Sequence, residues 1–388
     1  MAPKFTVPAL AGMKPRLFMV NPRRYVWVVL LLLLGLHYIL RISHESYART
    51  TSLSRLVEQL SLNRTILTDA YYDGHRRANA TFVFLCRNSD IAGVVSSIQQ
   101  MEDRFNRKHQ YPWVLLNDEP FTDDFKKRVS ALTDAPIHFG TIPKEHWVQP
   151  DWIDEKKAGA ARKVMVWQRI IYGGSVPYRN MCRFNSGFFY RHELLLPYKY
   201  YWRVEPDVKF FCDIDYDPFL FMQDKNKTYA LGFTITMEEF RETITTLWDT
   251  TKEFMVENPQ YVAEDNALGF LSNDGGISYN LCHYWSNFEI ADMDFWRGEA
   301  YSKYFDFLES KGGFYYERWG DAPVHSIAAS LFLSKHQLHF FRDIGYRHEP
   351  FQHCPQGDDW SRGRCACNPD DNFDYTPASC IKNFDRIF

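Results

Sequence analysis

Several things are missing from this sequence, and each absence narrows what the chain can be. There is no basic excess: over 388 residues the formal net charge is -3, which removes the electrostatic footprint carried by proteins that track nucleic-acid phosphates. Neither a Walker-type phosphate loop nor a GxGxxG follows the first strand-like run, so two common nucleotide cradles are excluded. No CxxC pair exists, and the lone Cys365-Ala-Cys367 pair near His353 lacks the partner spacing of a structural zinc site. Internal repeats and low-complexity tracts are absent too. Acidic residues are missing from positions 1–24, which instead carry Lys4, Lys14, Arg16, Arg23 and Arg24.

What is present starts with an apolar run, Tyr25 to Leu40, closed by Arg41. Bulky His37, Tyr38, Ile39 and Leu40 stand where a cleavage site would need small residues, so the run is read as an uncleaved anchor at 25–41. It is near the lower limit of the roughly 17 to 25 residues that span a bilayer, which suits a thin early-secretory membrane. The acid-free basic tail at 1–24 favours a cytosolic N-terminus. Acceptor sequons at Asn63, Asn79 and Asn226, together with eight cysteines, point to an oxidising lumen where disulfides form.

Residues 42–78 are polar and read as a stem. From 79 the chain changes character: TFVFLC (81–86), the apolar run 113–116 and IHFGTI (137–142) alternate with helical stretches after Ser89-Asp90 and Thr122. Strand, helix, strand, helix, strand at this spacing predicts an α/β sheet with covering helices, whose ligands bind beyond the strand ends. A helix is expected over 158–172 and another over 236–258, and the cysteine-rich tail beyond Cys354 reads as a stapled wrap.

The stretch YYWRVEPDVKFFCDID (200–215) holds the densest chemistry. A strand rich in aromatics ends in Glu205-Pro206-Asp207, with Asp213 and Asp215 shortly after. Carboxylates two residues apart at a strand end can face one divalent cation, which would neutralise the charge that develops on a leaving diphosphate. The rigid Glu205-Pro206-Asp207 turn is preferred as the metal and diphosphate site, and Asp213 and Asp215 are read as structural. Arg87 and Arg183 are further candidates for diphosphate contact.

Five long stretches sharpen this reading: YRNMCRFNSGFF (178–189), YWRVEPDVKFFCDIDYDPF (201–219), YNLCHYWSNFEIADMDFWR (279–297), GGFYYERWGDAPVHSIAASLFL (312–333) and FFRDIGYRHEPFQHCP (340–355). In these, and in their order, the chain resembles the fungal Golgi α-1,2-mannosyltransferases that use GDP-mannose. The resemblance implies a GT-A-type nucleotide-binding mixed sheet flanked by helices at 79–388, on a type II anchor in the Golgi membrane. It also implies Mn2+-dependent, configuration-retaining transfer of mannose from GDP-mannose to mannose-ended N- or O-linked glycans, with no nucleic-acid partner.

Residue by residue, the resemblance gives Glu205 to the metal and His348, in GYRHEP, to the same ion. Glu289, in SNFEI, corresponds to an acid proposed as nucleophile, and Tyr178 to a tyrosine close to it. Glu317 to Asp321 offers an acid, a ring and a loop for an acceptor pocket, Asp321 alternatively capping the helix that holds His325. Glu239 could orient a substrate hydroxyl, although a solvated helix charge is the simpler expectation. Two rivals stand against the transferase: a lumenal glycoside hydrolase with paired carboxylates and no metal, and an inactive scaffold or sugar-binding subunit of a mannosylation complex.

Overall fold

The computed structural model describes residues 76–224 and 230–388, with scattered helical positions between 29 and 43. The chain divides into two units, 1–62 and 63–388, and the second is the subject here. The expected anchor (25–41) and stem (42–78) fall largely outside the described residues; among the described residues no helix is long and apolar enough to cross a membrane.

Strands β1 (Ala80–Leu85), β2 (Trp113–Asn117), β3 (Ile137–Thr141), β4 (Tyr200–Val204), β5 (Lys209–Phe210), β6 (Leu231–Phe233), β7 (Thr236–Glu238), β8 (Cys282–Tyr284), β9 (Glu289–Asp292), β10 (Leu338–Phe340), β11 (Tyr346–His348) and β12 (Phe351–His353) form three sheets. The main sheet has the order β10-β6-β9-β4-β1-β2-β3, with β12-β11-β5 and β7-β8 as smaller companions. β1 runs parallel to β2 and β4, whereas β9 is antiparallel to both β4 and β6. The result is the mixed α/β sheet that the sequence led us to expect.

Successive side chains on a strand point to opposite faces, so each strand serves two cores. Val83, Leu116, Tyr201 and Ala291 fill one; Phe82, Trp113, Trp202 and Ile290 fill the other. Because helices cover both faces, the strands are apolar on both sides, as parallel strands usually are. Helices α1 (Ile91–Met101) and α2 (Asp123–Ser130) supply Val94, Ile98, Phe125 and Val129 to the second core. The first is closed by α3 (Glu155–Trp167), α4 (Val176–Gly187), α5 (Leu247–Glu257), α6 (Glu299–Lys311) and α7 (Asp321–Phe332). Local signals set their starts: Thr122, Asp154 and Ser175 accept hydrogen bonds from first-turn amides.

One expectation needs correction. The segment 236–258 is not one helix: β7 pairs with β8, and helix begins only at Leu247. Cross-strand pairing, tied in place by a Cys282–Cys380 disulfide, overrides the helical composition of the MEEFRE run. The disulfides expected from the eight cysteines are present as Cys212–Cys365, Cys282–Cys380 and Cys354–Cys367, while Cys86 and Cys182 are buried thiols.

Candidate active site

The two-residue period of β4 puts Tyr201 and Arg203 on one face, and Glu205 continues that row past the strand end. Antiparallel β9 sets Glu289 directly opposite Arg203. Above them α7 presents Asp321 and His325, four residues apart and so on one helix face. Strand pair and helix therefore meet as two rungs. Arg203 Nη1 lies 2.6 Å from Asp321 Oδ2, which also accepts from Ser286 Oγ at 2.8 Å. His325 Nδ1 lies 3.0 Å from Glu289 Oε2. The second arm of Arg203 holds Glu205.

At the open end of this row, Glu205 Oε2 stands 3.3 Å from His348 Nε2 on β11. Burial alone would raise the Glu205 carboxyl, but Arg203 and His348 outweigh it and bring it down to about 2. Burial opposes charge on His348, yet the Glu205 carboxylate moves the imidazole upward on balance. The backbone carbonyl of Glu349 lies 3.1 Å from His348 Nδ1, so that nitrogen donates and Nε2 is the one turned to Glu205. Trp285 packs edge-on against the ring at 5.0 Å.

Glu289 is buried differently. It is 2% exposed, accepts from the Tyr201 hydroxyl and faces His325 with both oxygens. Tyr201 accepts in turn from Trp296 Nε1 at 3.1 Å. On the far side His325 Nε2 lies 3.1 Å from the Asn185 carbonyl. A carbonyl only accepts, so Nε2 carries hydrogen, and the Nδ1 contact with Glu289 holds one shared proton. The arrangement satisfies a buried acid that would otherwise face a large desolvation cost.

The tyrosine that meets Glu289 is thus Tyr201. Tyr178 lies on the neighbouring flank, where the Arg318 guanidinium sits 5.1 Å over its ring. Arg318 in turn lies 3.4 Å from Glu239. Glu239 is accordingly not a solvated helix charge: it follows β7 and belongs to this polar group. Burial drives the Tyr178 hydroxyl well upward, so it stays protonated.

Other candidates are not brought to this row. Arg183 is buried against Glu309 at 2.7 Å and reaches the backbone carbonyls of Glu145, His146 and Val148. Its charge is consumed inside the fold. Arg87 is exposed just past β1, where its amide donates to Asp90 at 2.9 Å. Asp207, at φ 62°, packs against the first turn of α1, and any side chain at Gly93 would fall 2.6 Å from its carboxylate. Asp213 pairs with Arg104 and Arg364, in keeping with a structural role.

Sequence reasoning passed over Arg203, Tyr201 and the partnership of His325. The signal was there in the period-two series Tyr201, Arg203, Glu205 and in the i, i+4 pair Asp321, His325. Only the tertiary contacts, Arg203 with Asp321 and His325 with the Glu289 that stands opposite Arg203, reveal that the two series meet.

Fold and polar face together define a glycosyltransferase. More narrowly, the chain belongs to the glycolipid 2-alpha-mannosyltransferase family, whose model matches residues 43–387. It is 56% identical over 309 residues to glycolipid 2-alpha-mannosyltransferase 2 of Candida albicans, covering 79% of this chain and 67% of that protein. It is 55% identical over 312 residues to the alpha-1,2 mannosyltransferase KTR1 of Saccharomyces cerevisiae, covering 80% and 79%. Among solved structures, core-mannan synthase A (CmsA/Ktr4) of Aspergillus fumigatus in its Mn/GDP form aligns with a TM-score of 0.76 at 42% identity, over 82% of this chain and 87% of that one. The mannosyltransferase Ktr4p of S. cerevisiae in complex with GDP aligns equally well, at 0.76 and 42%, over 80% and 82%.

Proposed function

We propose that the chain transfers mannose from GDP-mannose to the 2-hydroxyl of a mannose-ended glycan, with retained α configuration and with Mn2+ as cofactor. The carrying observation is the Glu205–His348 pair at the end of β4. Its donor set fits a divalent ion: an ionised carboxylate lies beside an imidazole whose other nitrogen is fixed on a backbone carbonyl, the usual second-sphere arrangement of a ligating histidine. Among the described residues no group of three or more His, Cys, Asp or Glu side chains forms a cage. Two protein ligands suit a cation completed by substrate phosphates and water. When bound, the ion offsets the charge that builds on the departing diphosphate.

The chain's own residues do the rest. Arg203, held between Glu205 and Asp321, keeps the Glu205 carboxyl low and both side chains in place. The acceptor hydroxyl forms the new bond to the anomeric carbon as the sugar–phosphate bond breaks, its proton passing to the departing diphosphate oxygen, and GDP leaves. Glu289, held by Tyr201 and His325, supports a role as buried negative charge beneath the developing sugar cation. Arg318, Glu239 and Asp321 offer donors and acceptors to the acceptor's hydroxyls, and Asp207 with the start of α1 borders the diphosphate region. The acid-free basic tail, the sequons and the disulfides support a type II Golgi anchor at 25–41 with 79–388 in the lumen.

The test is transfer from GDP-mannose to methyl α-mannoside, with Mn2+ and with chelator, the linkage and anomer of the product being read by NMR. An α-1,2 disaccharide formed only with metal is the expected result. Absence of transfer under every metal condition would refute the reading.

A further inference from the structure

The acceptor sequon Asn79-Ala80-Thr81 stands at the point where the chain enters β1. The backbone there is fixed from both sides. The Ala78 amide donates to the Tyr111 hydroxyl at 3.0 Å, and the Asn79 carbonyl accepts from the amides of Lys199 and Tyr200 at 2.9 and 3.0 Å. Ala78 and Ala80 are buried, and the two-residue period turns Asn79 between them outward to solvent.

The two side chains that define the sequon are committed in opposite ways. Asn79 Nδ2 donates to the Pro197 carbonyl at 2.7 Å. A primary amide carries two hydrogens and this bond uses one, so the other can be replaced by a sugar while the bond to Pro197 is kept. Thr81, by contrast, is 0% exposed, and its hydroxyl donates to the Pro112 carbonyl at 2.8 Å. In the folded chain the acceptor residue is open, whereas the hydroxyl that an attaching enzyme must also engage is closed off.

We infer that Asn79 is an N-glycosylation site that is filled on the extended chain, before β1 pairs with β2 and β4, and not afterwards. The co-reactant is an oligosaccharide carried on a polyprenyl diphosphate in the secretory lumen. Asn79 Nδ2 forms the bond to the anomeric carbon of the first sugar, the bond from that carbon to the diphosphate oxygen breaks, and the proton lost from Nδ2 passes to the departing lipid diphosphate. The glycan leaves the candidate active site clear. β1 and β4 are parallel, so Asn79 and Lys199 mark the starts of their strands while Glu205 lies past the far end, on the order of 20 Å away at about 3.3 Å per residue. The inference rests on the lumenal placement of 79–388 proposed above.

Full-length protein is made in a eukaryotic secretory host, and its N-glycans are released enzymatically in heavy-oxygen water, which leaves a labelled aspartate at each occupied asparagine for mass spectrometry. Asn79 is expected to be occupied. Asn79→Gln is expected to migrate one glycan ahead of the wild type on gels, with unchanged turnover of methyl α-mannoside. Thr81→Ser, which retains a hydroxyl and the sequon, is expected to keep the glycan. Folded protein from cells blocked in lipid-linked oligosaccharide synthesis should stay unmodified when offered to detergent-opened microsomes, while the same chain translated into intact microsomes gains the glycan. Modification of the folded protein overturns the order of events. A bare Asn79 in a body shielded from protease added outside sealed vesicles overturns the site. A body that this protease digests overturns the lumenal placement, and the site with it.

Discussion

The two faces of strand β4 are made by alternate residues of one pentapeptide, yet they follow different rules. On one side Tyr200, Trp202 and Val204 enter an aromatic core in which Trp202 touches Phe82, Phe105, Phe210, Phe219 and Phe288. On the other, Tyr201 and Arg203 enter a chain of charges: Glu205, Arg203 and Asp321 beside Glu289 and His325. Burial is complete on the first side and slackens along the second, where Arg203 and Glu205 keep partial exposure. The difference lies in what burial costs: an apolar ring gains by leaving water, whereas each buried charge must be matched before it is tolerable. A protein keeps such a chain of charges where function needs it.

The comparison can be broken most severely at its functional end. Glu205→Gln should lower kcat/KM by about 10^3-fold, the scale of losing metal-assisted charge stabilisation. Apparent Mn2+ affinity should fall with it, as measured by initial rates in a metal titration; near-normal rates would remove Glu205 from the metal. Trp202→Ala should do the reverse. It empties a site that is 0% exposed and should cost about 3 to 5 kcal/mol in urea unfolding, while the turnover of the protein still folded stays close to wild type.

Arg183 sharpens the contrast, because the sequence offered it as a diphosphate ligand and the structure gives it to Glu309. Arg183→Met should therefore destabilise by about 3 kcal/mol or more, as when one partner of a buried pair is removed. The KM for GDP-mannose should not move; a tenfold rise would return Arg183 to the donor site.

A fourth test lies on the aromatic side. Burial first, then Lys108 and Arg77, push the His109 imidazole down to about 4. Its folded value is below the unfolded one near 6.5, so the unfolded chain binds the extra proton between those values. Stability should be complete above pH 6.5 and fall by about 3 kcal/mol as pH drops toward 4. His109→Gln should flatten that part of the curve, followed as melting temperature against pH. The smallest effect belongs to Arg87→Ala, whose side chain is exposed; less than about a twofold change in kcat/KM is expected, and a larger one would show that Arg87 reaches the donor.

How much of this was readable beforehand depended on whether a feature was local. The first three strands, their helices and the helix start at Thr122 follow from short-range pattern. Glu205 and His348, 143 residues apart in sequence order (348 minus 205), were paired only through family resemblance, and the structure sets them 3.3 Å apart. Composition misled at 236–258, since MEEFRE is rich in helix formers while its fate is decided by β8. The role of His325 was invisible because a histidine in an apolar helix acquires meaning only from what faces it, here Glu289 and the Asn185 carbonyl.

The β12-β11-β5 sheet carries His348, and it is fastened at both margins by sulfur. Cys212 follows β5 and is joined to Cys365; Cys354 follows β12 and is joined to Cys367. His348 therefore rides on a small sheet cross-linked at both margins, while Glu205 follows a strand of the main sheet. Reduction under native conditions should weaken Mn2+ binding before it unfolds the main sheet, which metal titration followed beside circular dichroism would reveal.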